Sequence, residues 1–298
     1  MISFRYHLVT IVAVFLALAL GILIGTNAVN QAVVERLQKQ THDLIRSRDQ
    51  LAAEVAVWDR FGAELEPILV QNELTDRPVV LVTEENVDPK EIDSVQGVLG
   101  DAGAKVLGVV IATSKMGLAQ PTAQEQLAGL LGVPATQPVY QLTEEAADAL
   151  GRRLQRGFDG NAEQDFLQQM VSQDFLDLQQ RSGSTIEDVG GSSQLVVVLA
   201  GGKKQPPVDP SVFCVPLVNA LVDRGQAVAA TETSTSIYPF VALIRDDKQH
   251  DGRLVTVDNG DEVPGQVALV LGLANLLEDG QGGDYGIKRG ASGLIPPA

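Results

Sequence analysis

The chain has 298 residues, with 38 Asp and Glu against 22 Lys and Arg, a net charge of −16 and a single cysteine, Cys214. So acidic a chain is repelled by nucleic-acid phosphate, which excludes a duplex-DNA or RNA binder, and one cysteine excludes a disulfide scaffold or a zinc ribbon. An apolar content of 45% is too high for a disordered chain, and a mean hydropathy near zero excludes a multi-span membrane protein.

The charge is unevenly spread. Residues 1–70 hold six basic and seven acidic side chains, whereas 71–298 hold 16 and 31. No charged residue occurs between Arg5 and Glu35. Residues 8–29 as a helix span about 33 Å, enough for the hydrocarbon core of a bilayer. A cleaved signal peptide would use Arg5, the run 8–16 and the Ala17-Leu18-Ala19 site. The apolar run continues through Leu20, Ile22, Leu23 and Ile24, however, and cleavage would leave a greasy stub. Residues 1–29 are therefore read as an uncleaved anchor. Charge counting does not orient it, because Arg36 and Lys39 balance Arg5 and the amino terminus. Six residues are too few to form a domain, so the short N-terminus is placed in the cytoplasm and the rest is exported across the plasma membrane. Ala13, Ala17, Gly21 and Gly25 recur every four residues, the small-residue face by which membrane helices approach closely.

Residues 30–70 form the next segment. Leu37, Leu44, Leu51, Trp58 and Leu65 are spaced by seven, and Val34, Thr41, Arg48, Val55, Gly62 and Leu69 fall three residues before or four after them. Large apolar residues at one position of a heptad and β-branched ones at the other favour a two-stranded parallel coiled coil. Arg48 and Gly62 are blemishes in that seam. A homodimeric stalk is the expectation, with an amphipathic helix lying along the globular body as the alternative.

From residue 71 the pattern changes. Short β-branched runs at 79–83, 105–111, 195–199, 227–230 and 254–257 alternate with helical stretches. Those stretches are a helix opened by Pro89, then 122–131, 143–154, 162–180, 210–224, 237–245 and 263–277. Strands alternating with helices predict an α/β fold: a parallel sheet in a three-layer sandwich of the Rossmann or flavodoxin type over 71–279. Residues 280–298 hold six of the glycines with Pro296-Pro297 and predict an irregular tail.

Few residues offer chemistry. Gly201-Gly202-Lys203-Lys204 follows a strand but lacks the phosphate-loop spacing, and Pro206-Pro207 removes two backbone donors. Gly280-Gln281-Gly282-Gly283 follows a helix, so it reads as a turn. Glu84-Glu85 end the first strand and read as a solvated loop. Gly290-Ala291-Ser292-Gly293 lacks the nucleophile-elbow spacing. His250 lies in a charged surface stretch, and Cys214 reads as a buried small hydrophobe. Soft ligands for copper (Met116, Met170, Cys214, with His42 and His250) are far apart in the chain. No enzyme, no cofactor and no preformed metal site is expected, and a nucleotide or sugar at the sheet edge is a weaker option.

The opening Met1-Ile2-Ser3-Phe4-Arg5-Tyr6-His7-Leu8-Val9 and the ending Tyr285-Gly286-Ile287-Lys288-Arg289-Gly290-Ala291 with Leu294-Ile295-Pro296 resemble the actinobacterial MctB/SteB family. The order of anchor, coil and α/β domain is similar too. The resemblance implies one of two roles. One is copper homeostasis, as an MctB-like copper transporter or outer-membrane channel. The other is that of SteB-like septal proteins, which pair with a SteA partner and help control a peptidoglycan hydrolase in cell division. A channel needs several spans or a closed barrel, whereas this chain offers one span and strands suited to a buried sheet. The residues thus favour a dimeric, membrane-bound scaffold for envelope partners, with copper export as the alternative.

Overall fold

The computed structural model describes residues 4–181, 183–247 and 252–297, with the backbone alone for 26–32. The chain divides into two compact units, 1–61 and 62–298. The first is a single helical rod, the beginning of helix α1 (Phe4–Val70). Its segment Phe4–Gly25 has a mean hydropathy of 2.9 and is long and apolar enough to cross a membrane.

The second unit takes the end of α1 and the α/β body. Pro67 lies in the last turn of α1, and the helix stops at Val70. Val70 and Leu74 are fully buried and close one face of the core. The remaining elements, in order, are β1 (Pro78–Glu84), α2 (Pro89–Asp101), β2 (Lys105–Ala112), α3 (Pro121–Leu131), α4 (Val139–Arg156), α5 (Phe166–Ser172), β3 (Leu176–Gln180), β4 (Leu195–Leu199), α6 (Cys214–Asp223), β5 (Val228–Thr231), α7 (Val241–Asp247), β6 (Val255–Val257), α8 (Val263–Asp279) and β7 (Gly283–Tyr285).

The seven strands form one sheet in the order β3-β2-β1-β4-β5-β6-β7, parallel throughout except for β3. Counting only the parallel strands, the order is that of flavodoxin-like sheets with one strand added at the far edge. The continuous apolar runs are what a sheet covered on both faces requires. Val80 and Val82 of β1 face a layer built from α3–α7, through Leu127, Leu150, Met170, Leu217 and Val241. Val79 and Leu81 face α2 and α8, through Val95, Leu99, Leu269 and Leu273. The expected three-layer α/β architecture is therefore present.

Three segments differ from the sequence reading. Residues 162–180 form α5, a turn and the antiparallel edge strand β3 instead of one helix. Asp174 takes a left-handed φ of 57°, and Leu176 and Leu178 point inward while Asp177 and Gln179 point out, a period of two. The helix expected from residue 210 begins at Cys214, with Pro216 in its first turn, where a missing N–H costs nothing. The tail is not wholly irregular: Gly283–Tyr285 pairs in parallel with β6.

Candidate functional site

The exposed length of α1 carries the residues expected to pair. Ala13, Ala17, Gly21 and Gly25 share one helix face, and a Cβ added at Gly21 or Gly25 meets no atom within 4 Å. Leu37, Leu44, Leu51 and Trp58 are 55%, 71%, 59% and 64% exposed, and Val34 and Val55 are exposed beside them. The Thr41 hydroxyl donates to the Leu37 carbonyl at 2.8 Å, so this seam position does not leave an unpaired donor. Arg48 bonds Asp49 at 2.6 Å, which moderates its charge in the stripe. Trp58 meets Phe61 edge to face at 5.9 Å. Leu65 differs: it is half-buried in the second unit. One turn before it, the Cα of Gly62 faces Val263 of α8, and a Cβ there would lie 3.3 Å from the Val263 Cγ1. Gly62, a defect in a coil seam, is the point where α1 runs close against α8.

The C-terminal edge of the sheet carries buried charge. β1 ends in Glu84, β5 is followed by Glu232 and β6 by Asp258, and all three carboxylates are buried. Glu232 accepts from the amides of Phe240 (2.7 Å) and Val241 (3.1 Å) and from the Lys288 ammonium (2.9 Å). Asp258 accepts from the Arg245 guanidinium (2.5 Å) and from the amides of Ile287 (2.7 Å) and Lys288 (3.1 Å). Arg245 also holds the Thr256 hydroxyl and the Tyr285 carbonyl. The segment Tyr285–Lys288, one of the motifs that carry the family resemblance, thus clamps two strand ends with its own amides and one ammonium.

Glu84 is the exception, and it corrects the reading of Glu84-Glu85 as a solvated pair. Glu85 is exposed and accepts from the Ser114 amide at 2.6 Å. Glu84 is fully buried, and neither of its oxygens has a hydrogen-bond partner among the described residues. Burial pushes its carboxyl up to about 8, Asp209 adds to the rise, and the Gly201 amide, close by but outside hydrogen-bonding geometry, only partly offsets it. Periodicity alone offered no signal for this, since a strand-end glutamate looks the same whether the next loop covers it or not.

The soft side chains are packed as hydrophobes. Met116, Met170 and Cys214 are buried in one apolar cluster. Burial, with Glu84 nearby, holds the Cys214 thiol well above its usual range, so it remains a thiol. Native protein is expected to leave Cys214 unlabelled by a maleimide and to react fully only in denaturant, as mass spectrometry checks. His42 lies on exposed α1, and His250 lies outside the described residues. Among the described residues, no group of three or more His, Cys, Asp or Glu is placed to hold a metal ion.

Clefts open on the body, among them these two. One of about 790 Å³ runs between α3, α4 and α5, where Arg152 bonds Asp148 at 2.8 Å and buried Arg153 bonds Asp165, while Arg156 also lines it. The other, of about 570 Å³, lies beyond β1 and β2, lined by Val87, Ile92 and Ile111 with Glu85, Asp93 and Lys115. Lys115 there bonds the Gln173 carbonyl at 2.7 Å and covers the Phe175 ring.

A family model described as "Copper transport outer membrane protein, MctB" matches residues 1–296. A protein named "Copper transporter MctB" from Mycobacterium tuberculosis is 26% identical over 314 residues, covering 98% of each chain. A protein of the same name from Mycobacterium leprae is 25% identical over 320 residues, covering 100% of each.

Proposed function

The chain belongs to the MctB family, and from that premise we propose that it is a single-pass envelope protein that works as a paired, membrane-tethered scaffold and not as a catalyst. The observation that carries this reading is the stripe of Leu37, Leu44, Leu51 and Trp58, large apolar side chains held in solvent at seven-residue intervals. Covering each with the same residue of a second copy recovers about 1.5–3 kcal/mol per side chain. The Gly21/Gly25 face supports the same two-fold contact within the membrane. The short N-terminus lies in the cytoplasm, and the acidic body stands on the far side. The paired stalk offers a groove to helices of envelope partners, among them the SteA-like protein and peptidoglycan hydrolase that the resemblance implies.

Cysteine cross-linking tests the pairing. With Cys214→Ser as background, Leu44→Cys or Leu51→Cys in native membranes is expected to give a covalent dimer; a strictly monomeric product rejects the stalk. Gly21→Ile combined with Gly25→Ile is expected to weaken association several-fold by the same assay. Unchanged association would remove the glycine face from the contact.

A second reading, copper transport, is favoured by the name of the mycobacterial relatives and the description of the family model. On this reading the anchors of several copies assemble into the path, because an open, mostly parallel sheet does not make a closed barrel. Metal analysis of purified protein and conductance in planar bilayers separate the two. Stoichiometric Cu(I) binding, lost when Met116, Met170 and Cys214 are replaced, would put copper handling in place of the scaffold.

A further inference from the structure

The cleft of about 790 Å³ between α3, α4 and α5 lies within the size range of small-ligand sites. Its floor is apolar: Leu130 and Leu131 of α3 and Phe166 of α5 are partly buried and pack on the core beneath. Its long wall is α4, and charge is sorted along that helix. Glu144 and Glu145 stand in its first half, Arg152 and Arg156 in its last two turns. At 3.6 residues per turn, Glu145, Ala149, Arg152 and Arg156 fall on one face. The acidic end and Arg156 are therefore about 16 Å apart along the wall.

Internal bonds hold the cleft in shape. Buried Arg153 bonds Asp165 and donates to the Val189 carbonyl at 2.6 Å, and Asp165 caps α5 by accepting from the Gln168 amide at 2.8 Å. Asp148 is shared between Arg152 at 2.8 Å and Arg224 at 2.7 Å. What these bonds leave over is polar at both ends. Arg152 commits one terminal nitrogen to Asp148, so its other N–H groups remain for a ligand. Arg156 and Glu144 are exposed on the rim, with no hydrogen-bond or ion-pair partner among the described residues. Glu145 accepts a single bond, from the Gln137 amide at 3.3 Å. Asp159, on the loop beyond α4, is turned to the Asn161 amide at 3.0 Å. The exposed Gln164 side chain adds a donor and an acceptor on the opposite rim.

We propose that this cleft binds a short linear peptide with both termini ionised, its ammonium at Glu144 and Glu145 and its carboxylate at Arg152 and Arg156. An extended chain covers at most about 3.3–3.6 Å per residue, so about five residues span the two ends. Apolar side chains of the peptide rest on Leu130, Leu131 and Phe166, and Gln164 meets its backbone. A phosphorylated ligand would be repelled by Glu144 and Glu145, a fatty acid would leave them unused, and a single amino acid is too short to reach from one end to the other. The inference is independent of the scaffold reading and of the copper reading.

The test is equilibrium dialysis of the full chain in detergent against a library of pentapeptides built from alanine, leucine and phenylalanine, read by mass spectrometry. Members with two free termini are expected to be retained saturably. Amidating the carboxylate or acetylating the amine is expected to weaken retention by about fivefold each, the scale of a solvent-exposed ion pair. In Arg156→Ala the free and amidated peptides are expected to bind alike, and in Glu144→Gln with Glu145→Gln the free and acetylated ones. These side chains lie on the surface of α4, so both variants keep the fold, and circular dichroism confirms it. Dipeptides from the same residues are expected to be retained less than pentapeptides. The proposal is overturned if no free pentapeptide is retained, if dipeptides bind as well as pentapeptides, or if the amidation penalty is unchanged in Arg156→Ala.

Discussion

Arg245→Ala is expected to destabilise the body by about 3–5 kcal/mol, the usual cost of leaving a buried charge without its partner. The Arg245 side chain is 5% exposed and Asp258 is fully buried, at 2.5 Å. One guanidinium serves the Asp258 carboxylate, the Thr256 hydroxyl and the Tyr285 carbonyl, so it joins α7 to β6 and to β7. Alanine removes all three contacts and strands a carboxylate, whose remaining donors are the amides of Ile287 and Lys288. Arg245→Lys keeps the charge but loses the fork, so its loss is expected to be smaller. Urea unfolding of the full chain, followed by circular dichroism, gives both values. A loss below 1 kcal/mol for the alanine variant would contradict the clamp.

Glu84→Gln is expected to stabilise the body at alkaline pH by about 3–5 kcal/mol. The carboxyl sits at about 8 in the folded chain, against an ordinary value of 4.5. The folded state therefore binds a proton that the unfolded state has already released, and stability falls as pH rises. The contribution is intact below pH 4.5, declines by about 1.4 kcal/mol per pH unit between those values, and is lost above pH 8. Glutamine never ionises and shows no such decline. Glu66 and Glu91 are also raised by burial and contribute the same sign to both proteins. The difference between wild type and variant from pH 5 to pH 9 therefore isolates Glu84. A flat difference would show that Glu84 is hydrated.

Most of the fold was legible because strands buried on both faces write themselves as unbroken apolar runs. Val79 to Thr83 and Leu195 to Leu199 needed no tertiary information. The edge strand β3 was hidden because α5 and β3 abut through a single turn at Asp174, and a window wide enough to see a helix averages over it. β7 was hidden because glycine and aspartate carry no strand preference; the pairing comes from β6. The heptad and the glycine face were legible as periods, and both stretches are helical in α1, with Gly62 and Leu65 turned to the second unit. The strand-end carboxylates were not. Whether Glu84 is solvated, and whether Glu232 meets Lys288, depends on loops that return from 117 residues later in one case and 56 in the other.

The clamp formed by Tyr285–Lys288 has a consequence for how the protein is made. Lys288 neutralises Glu232 and caps Asp258, which are laid down 56 and 30 residues earlier in the chain. Until Tyr285–Lys288 is delivered beside β6, Glu232 lacks its ammonium and Asp258 lacks two of its amide donors. A chain cut before Tyr285 is expected to keep its first six strands but to hold that edge less firmly, and so to be cleaved sooner by a protease. The edge of the sheet is thus closed by a segment made after the strands it seals.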